Sequence, residues 1–89
     1  MISTQDLETI RQTAQRYGLQ RVLLFGSAAD SRKVPRDIDL GVEGLAPHQF
    51  FQFYGDLLLA LSLPVDVFDL GQSGRFADLV RQEGVPIYG

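Results

Sequence analysis

Hydrophobic residues recur along the chain at the two spacings that distinguish helices from strands. Residues 4–17 place them three to four positions apart, and Ser3 just before them is a typical helix-capping residue. A second helix is predicted from Pro47, which is favoured in a first turn, to about Leu61. A short third helix is predicted after Ser73, which can cap it. The apolar stripe expected on the second helix consists of Phe50, Phe51, Tyr54, Leu57, Leu58 and Leu61.

Four shorter segments have the patterns of strands. Arg21–Phe25 is a largely apolar run bounded by glycines, as in a buried strand. Asp37–Glu43 alternates between polar and apolar positions, Val65–Leu70 has its valines on one side, and Val85–Tyr88 suits a sheet edge, where its proline is tolerated. The order of elements predicts an α/β (α+β) fold: a small mixed β-sheet with helices packed on one face. We expect a single domain over residues 1–89.

Composition and charge exclude several classes of protein. Hydrophobic residues make up 45% of the 89 residues and charged residues 21%, which is usual for a globular protein. The absence of cysteine excludes a disulfide scaffold and a thiolate metal site. A net charge of −3 with mostly scattered basic residues argues against bulk binding to nucleic acid. No apolar run reaches the roughly 20 residues that span a bilayer, and no signal-peptide pattern is present, so we expect a cytoplasmic protein with no membrane partner.

Three aspartates are the candidates for metal binding. Asp37 and Asp39 are two positions apart on a predicted strand, so their carboxylates face the same side and repel each other unless a cation such as Mg²⁺ lies between them. A pair of this kind is also common on solvent-facing strands. Asp66 lies between two valines on a later strand, and if that strand pairs with the first, three carboxylates converge. The alternative is that Asp66 faces solvent on an edge strand.

A Gly-Ser turn is the candidate phosphate site. Gly26 and Ser27 follow a buried strand directly, where glycine lets backbone N–H groups approach a phosphate and a following helical turn directs its positive end at the same anion. By itself a Gly-Ser pair is usually only a turn. Arg32, Lys33 and Arg36 lie on the same loop. These three side chains either bind phosphate or form a solvated loop surface, and the sequence favours neither interpretation.

Together these motifs resemble the nucleotidyltransferase superfamily related to DNA polymerase β. Its members have a hydrophobic strand ending in Gly-Ser, then a D-x-D motif flanked by hydrophobic residues, and then a lone Asp between hydrophobic residues on a later strand. The corresponding segments here are Leu23–Ser27, Asp37–Leu40 and Val65–Val67. More narrowly, the chain is similar to the minimal nucleotidyltransferases, or MNT antitoxins, and the likeness extends to the closing segment Glu83–Tyr88.

The resemblance implies a role for each motif. Asp37 and Asp39 would hold two Mg²⁺ ions, and Asp66 would complete the metal site and help to deprotonate an acceptor hydroxyl. Gly26 and Ser27 would hold the β- and γ-phosphates of a nucleoside triphosphate, and Arg32, Lys33 and Arg36 would add positive charge. The implied reaction transfers AMP from ATP to a hydroxyl. By the same likeness, that hydroxyl belongs to a tyrosine of a helical HEPN-type toxin, which the chain would neutralise as its antitoxin.

The chain departs from this family after the Gly-Ser turn. Members usually continue Gly-Ser-x-Ala-Arg-Gly, whereas Asp30 and Ser31 occupy the last two of these positions here, so that a carboxylate replaces an arginine that faces phosphate. The alternative function is therefore a non-catalytic antitoxin module that binds its partner and has a degenerate phosphate site. Transfer to an RNA end or to a small molecule is a third interpretation, which the acidic charge and the lack of a second domain disfavour. A homodimer or a hetero-complex is compatible with an open sheet face.

Overall fold

The structure, a computed structural model, describes residues 2–71 and 74–89. Its helices and strands are α1 (Thr4–Arg16), β1 (Arg21–Phe25), β2 (Ile38–Glu43), α2 (Phe50–Ala60), β3 (Val65–Asp69), α3 (Arg75–Glu83) and β4 (Val85–Tyr88). Short 3₁₀ turns cover Gly26–Ala29 and Pro47–Gln49. The prediction that Ser73 caps the third helix falls outside the described residues. No helix in the described ranges is long and apolar enough to cross a membrane.

The four strands form one mixed sheet in the order β3-β2-β1-β4. Strand β1 is antiparallel to both β2 and β4, whereas β2 and β3 are parallel. β4 lies at one edge, as its proline predicts. The register aligns Phe25 of β1 with Asp39 of β2 and Asp39 with Asp66 of β3, so three predicted segments meet in one row across the sheet.

Helices α1 and α2 cover one face of the sheet. Ser3 caps α1 as predicted, because its hydroxyl accepts a hydrogen bond from the backbone N–H of Asp6 at 3.1 Å. Apolar residues at every second strand position point toward these helices and are fully buried. The centre of this core consists of Ile10, Val22, Leu24, Ile38, Leu40, Val42, Phe53 and Leu57.

The apolar stripe predicted for α2 is partly wrong. Phe53 and Leu57 are the residues of α2 that are fully buried, whereas Phe51 is 82% exposed and Leu58 49% exposed. Hydrophobic side chains surround almost the whole circumference of this helix, so periodicity cannot identify the buried face. Packing against α1 and the sheet selects the Phe53 side.

Helix α3 packs against the opposite face of the sheet from α1 and α2. It forms a small second core in which Ala77 and Val80 contact Leu23 of β1 and Leu70. Gly41 of β2 lets α3 approach closely, since a Cβ at that position would collide with Leu70 and Val80. The mixed sheet agrees with the predicted fold class, with α1 and α2 on one face, whereas α3 lies on the middle of the second face and not with the other helices as predicted. The polar end of that second face stays accessible.

Candidate active site

Asp39 and Asp66 lie side by side on the second face of the sheet. They are register partners on the parallel strands β2 and β3, and each alternates with buried residues that point to the helical face. Asp39 is partly buried and Asp66 is exposed. The structure thus places both carboxylates on one surface, which is the arrangement that the sequence predicts for β3 pairing beside β2.

Asp37 lies one residue before β2, not within it. The predicted strand Asp37–Glu43 begins at Ile38, because the preceding residues form a bend. Strand alternation therefore does not fix the direction of the Asp37 side chain. The charge of Asp37 nevertheless acts on Asp39. Burial raises the pKa of Asp39 above its ordinary value, and the nearby charges of Asp66 and Asp37 raise this pKa further. Both Asp37 and Asp66 are therefore within electrostatic range of Asp39.

The carboxylates at this site suit a hard cation that is also coordinated by oxygens of a phosphate. In the described residues, no three or more Asp, Glu or His side chains form a group that could hold a metal ion by themselves. Mg²⁺ is usually bound by one or two carboxylates together with water and substrate phosphates. The neighbouring carboxylates of Asp39 and Asp66 fit that type of site, and the pKa of Asp39 is raised by burial and then by repulsion from Asp66 and Asp37.

Gly26 brings the predicted phosphate turn against Asp39. Its φ of +71° belongs to the left-handed region, which other residues rarely adopt, and a Cβ at this position would overlap the Asp39 Oδ2 atom. The 3₁₀ turn Gly26–Ala29 follows directly, so the helical turn expected after β1 is present. Glycine permits this approach without backbone strain and without a shift of the Asp39 carboxylate.

Ser27 shares a cleft with two of the three predicted basic residues. This basic cleft, lined by Ser27, Lys33, Val34 and Arg36, has a volume of about 570 Å³. A hydroxyl donor and two cationic side chains on one concave surface are suited to a phosphate group. The loop therefore brings Lys33 and Arg36 close to Ser27. The sequence alone could not show whether these basic side chains lie near Ser27 or face solvent elsewhere.

Arg32 binds Asp30 instead of lining the basic cleft. Its Nε and Nη2 atoms donate to the Asp30 carboxylate at 3.1 and 3.2 Å, and its backbone N–H donates to the same group at 2.9 Å. These hydrogen bonds hold the pKa of Asp30 below its ordinary value. The carboxylate that replaces the expected arginine is thus paired with a neighbouring cation.

A second cleft, which the sequence analysis missed, lies beside Gly26. This cleft has a volume of about 590 Å³. Phe25, Phe76 and Leu79 form an apolar wall, and Asp30, Arg32 and Glu83 also line it. Phe25, Phe68 and Phe76 form a cluster with ring centroids 5.2–6.0 Å apart. One signal was present in the sequence, because strand alternation places Phe68 on the same side as Asp66. The contribution of α3 could not be seen without the fold.

Comparison with known proteins identifies the fold. No family model matches the chain, and no curated protein matches it either. Among solved structures, a toxin-antitoxin with AMP-PNP superimposes with a TM-score of 0.75 at 24% identity, over 93% of this chain and 73% of that one. The chain has the nucleotidyltransferase fold. A similarity at this level of identity establishes the fold, and the predicted fold class is confirmed.

Two further structures share the nucleotidyltransferase fold. The toxin-antitoxin MntA-HepT gives a TM-score of 0.73 at 22% identity, over 98% of this chain and 73% of that one. A mutant of this toxin-antitoxin pair with two aspartates changed to glutamate gives 0.74 at 22% identity, over 93% and 72% of the two chains. The likeness therefore extends over nearly the whole described chain.

Proposed function

We propose that this chain is a Mg²⁺-dependent nucleotidyltransferase of the minimal type, which transfers AMP from ATP to a hydroxyl. The observation that carries the proposal is the register pair Asp39–Asp66, placed beside the Gly26 turn in a nucleotidyltransferase fold. Two adjacent carboxylates destabilise a fold unless a cation neutralises them, so their juxtaposition favours a role in binding. We further propose that the chain acts as a single domain in the cytoplasm.

Each group at the site has a role in this reaction. Asp39 and Asp66, with Asp37 beside them, would hold Mg²⁺, which when bound stabilises negative charge on the phosphates. Ser27, Lys33 and Arg36 would bind the β- and γ-phosphates in the basic cleft. The Arg32 side chain is engaged by Asp30 and supports the loop.

The bond changes follow from that placement. The acceptor oxygen forms a bond to the α-phosphorus, and the bond from the α-phosphorus to the bridging oxygen breaks. Pyrophosphate leaves with the electron pair toward the basic cleft, and the acceptor proton passes to the exposed carboxylate of Asp66. Positioning and charge stabilisation supply most of the catalysis in such a transfer.

The proposed partner is a helical toxin of the HEPN type, with a tyrosine as the acceptor. The structural neighbours are toxin-antitoxin proteins, two of them MntA with HepT, and one was studied with AMP-PNP. The two mutated aspartates of the third neighbour are separated by one residue, as Asp37 and Asp39 are here. These facts support an antitoxin that modifies its partner.

Transfer of a labelled nucleotide tests the proposal. The purified chain is incubated with ATP labelled on the α-phosphate, Mg²⁺ and the helical protein encoded next to it. We expect label on the partner, and with Asp66→Asn a rate lower by about 10²–10⁴-fold, the usual contribution of a general base. An Asp78→Asn variant, changed at an exposed carboxylate on α3, should transfer label normally. Absence of label on the partner, or full activity of Asp66→Asn, would contradict the proposal.

The second candidate is a binding module that neutralises its partner without catalysis. The presence of Asp30 at a position where the family has arginine favours it. The ion pair with Arg32 weakens this argument, because the negative charge is compensated within the loop. In this case the complex should inhibit the partner without ATP, and alanine at Asp37 and Asp39 should leave inhibition intact.

A further inference from the structure

The solvent-facing side of α2 carries hydrophobic side chains that the interior of the protein does not use. Phe51 is 82% exposed, Leu59 91% and Leu58 49%, although the opposite side of the helix is buried. These three residues and Gly55 lie within one arc of about 100° around the helix, and together they are called the outer face of α2. Several large apolar residues on one such face indicate an interaction surface.

The outer face of α2 carries no charge. Asp56 is the one charged residue of this helix, and it points toward α1, where it accepts a hydrogen bond from the Tyr17 hydroxyl at 2.6 Å and pairs with Arg16 at 3.2 Å. Like charges that meet at a contact oppose association. An uncharged face therefore lets two copies of a chain with a net charge of −3 approach each other there.

The ring of Phe51 is held in position before any contact forms. It lies edge-on to the ring of Phe50, with centroids 5.6 Å apart and planes at 88°, and Phe50 packs against the main core. A side chain that is already ordered loses little entropy on binding.

The outer face is complementary to itself. Phe51 and Leu59, its two most exposed side chains, lie four residues on either side of Gly55. When two copies of α2 lie antiparallel about a two-fold axis at Gly55, Phe51 of each copy faces Leu59 of the other. A Cβ built at Gly55 would point into open space, so this glycine leaves a notch that lets the two helices approach closely on the axis.

We propose that two copies of this chain form a dimer through α2, antiparallel about Gly55. The 11 residues of α2 span only about 16 Å, which suits an interface at the low end of specific association, below about 1,200 Å² in total. A reversible dimer with a Kd on the order of 1–100 µM is expected from an interface of this size. The Asp39–Asp66 pair lies on the other face of the sheet, so both copies keep that site accessible.

Sedimentation equilibrium of the purified chain, from far below to far above the expected Kd, tests the dimer. Phe51→Ser and Leu59→Gln should each raise the Kd at least about 30-fold, because each substitution removes an anchoring side chain from both copies. Leu79→Gln is the matched control, since this leucine is 49% exposed on α3, on the other face of the sheet, and its loss should leave the Kd unchanged.

Gly55→Leu distinguishes the antiparallel pairing from general adhesion of an apolar surface. Leucine is a better helix former than glycine and has open space here, so the monomer should stay folded. Two leucines would fill the notch on the axis, and the cost of overpacking predicts a Kd about 5- to 150-fold higher. Adhesion without a defined geometry would instead become tighter with the added apolar area, and this result would overturn the proposal.

Disulfide cross-linking tests the direction of the helices, because the chain has no cysteine of its own. A mixture of the Phe51→Cys and Leu59→Cys chains should form linked dimers on oxidation, and the mixed dimer keeps one native Phe51–Leu59 contact. Phe51→Cys alone should not, since its two cysteines would lie about 12 Å apart along the axis, whereas a disulfide needs Cα atoms within about 7 Å. Equal cross-linking in both samples would overturn the antiparallel arrangement.

The remaining outcomes each decide the question. A wild-type chain that stays monomeric at the highest concentration overturns the dimer, and so does a Kd that Leu79→Gln raises as much as Leu59→Gln does. If the wild type is monomeric and Phe51→Ser no longer binds the helical toxin, the outer face belongs to that partner and the proposal is wrong. Should Phe51→Ser not fold by circular dichroism, Leu59→Gln decides. The proposed nucleotide transfer is measured separately, so neither proposal depends on the other.

Discussion

Asp39 lies partly buried next to two other carboxylates, and this position has a cost for the folded state. Its pKa is raised first by burial and then by the charges of Asp66 and Asp37. Like charges directly opposite each other on neighbouring strands are destabilising, and we take the magnitude to be that of an opposite-charge pair, about 0.2–1 kcal/mol. Residues that serve a binding site are often unfavourable for stability in this way.

We therefore expect Asp39→Asn to unfold at a higher temperature than the wild type when chelator removes divalent metal. The predicted rise in Tm is about 1–8 °C, because 1 kcal/mol corresponds to about 4–8 °C in a domain of this size. Thermal melts followed by circular dichroism measure it. Asp78→Asn, which removes an exposed carboxylate near Arg81 on α3, should change Tm little. An unchanged or lower Tm for Asp39→Asn would contradict the account of the site.

The need for glycine at position 26 can be tested by a second substitution. Gly26→Ala places a Cβ in the left-handed region and against the Asp39 carboxylate, so we expect a loss of at least about 1–2 kcal/mol in the free energy of unfolding. Gly55→Ala is the matched control: nothing lies within 4 Å of the added Cβ, and alanine in a helix should stabilise by about 0.5–1 kcal/mol. Urea denaturation of both variants gives the comparison, and equal stabilities would show that the turn does not need glycine.

At the scale of elements, a polar contact joins the end of α1 to α2. The Tyr17 hydroxyl donates to Asp56 Oδ2 at 2.6 Å, and the Tyr17 ring meets Phe53 edge-on at 5.3 Å. Burial, followed by the hydrogen bond to Asp56, raises the pKa of Tyr17 above 10.0. The contact helps to fix which side of α2 faces the sheet.

Tyr17→Phe should lower the free energy of unfolding by about 0.5–1.5 kcal/mol at pH 7, the net value of one hydrogen bond. Since the folded-state pKa of Tyr17 lies above the unfolded value, this stabilisation is fully present below pH 10 and is lost as pH rises through the folded-state pKa. Urea denaturation of both proteins from pH 7 to pH 11 measures the difference. A difference that does not shrink at high pH would contradict the contact.

Element boundaries and types could be predicted where the sequence carries local signals. Ser3 and Gly18 mark the ends of α1, and the run Arg21–Phe25 matches β1. β2 begins one residue later than predicted, because Asp37 belongs to the bend that leads from the loop. The buried face of α2 could not be predicted, since tertiary packing alone distinguishes Phe53 from Phe51 on a helix that is apolar nearly all round.

At the scale of the whole molecule, the convergence of distant segments depends on strand order. The strand patterns in the sequence identify Asp39 and Asp66 as candidate site residues. That the two residues lie side by side could be known only from the parallel pairing of β2 with β3. The pairing of Asp30 with Arg32 and the position of α3 on the second face carry no comparable signal, because each depends on how a loop or helix returns to the sheet. The aromatic cluster could be predicted only in part: strand alternation places Phe68 on the same side as Asp66, whereas the position of Phe76 depends on the packing of α3.

Asp39 and Asp66 are proposed to bind a divalent cation together with a nucleotide. Amide NMR spectra of the ¹⁵N-labelled chain, recorded with ATP and a small amount of paramagnetic Mn²⁺ in place of Mg²⁺, test this proposal most directly. We expect the broadening to be strongest at the amides of Asp39, Asp66 and the Gly26 turn, and the amide signal of Asp56 on α2 to stay sharp. Broadening centred on another group of carboxylates, or no broadening with ATP present, would contradict it.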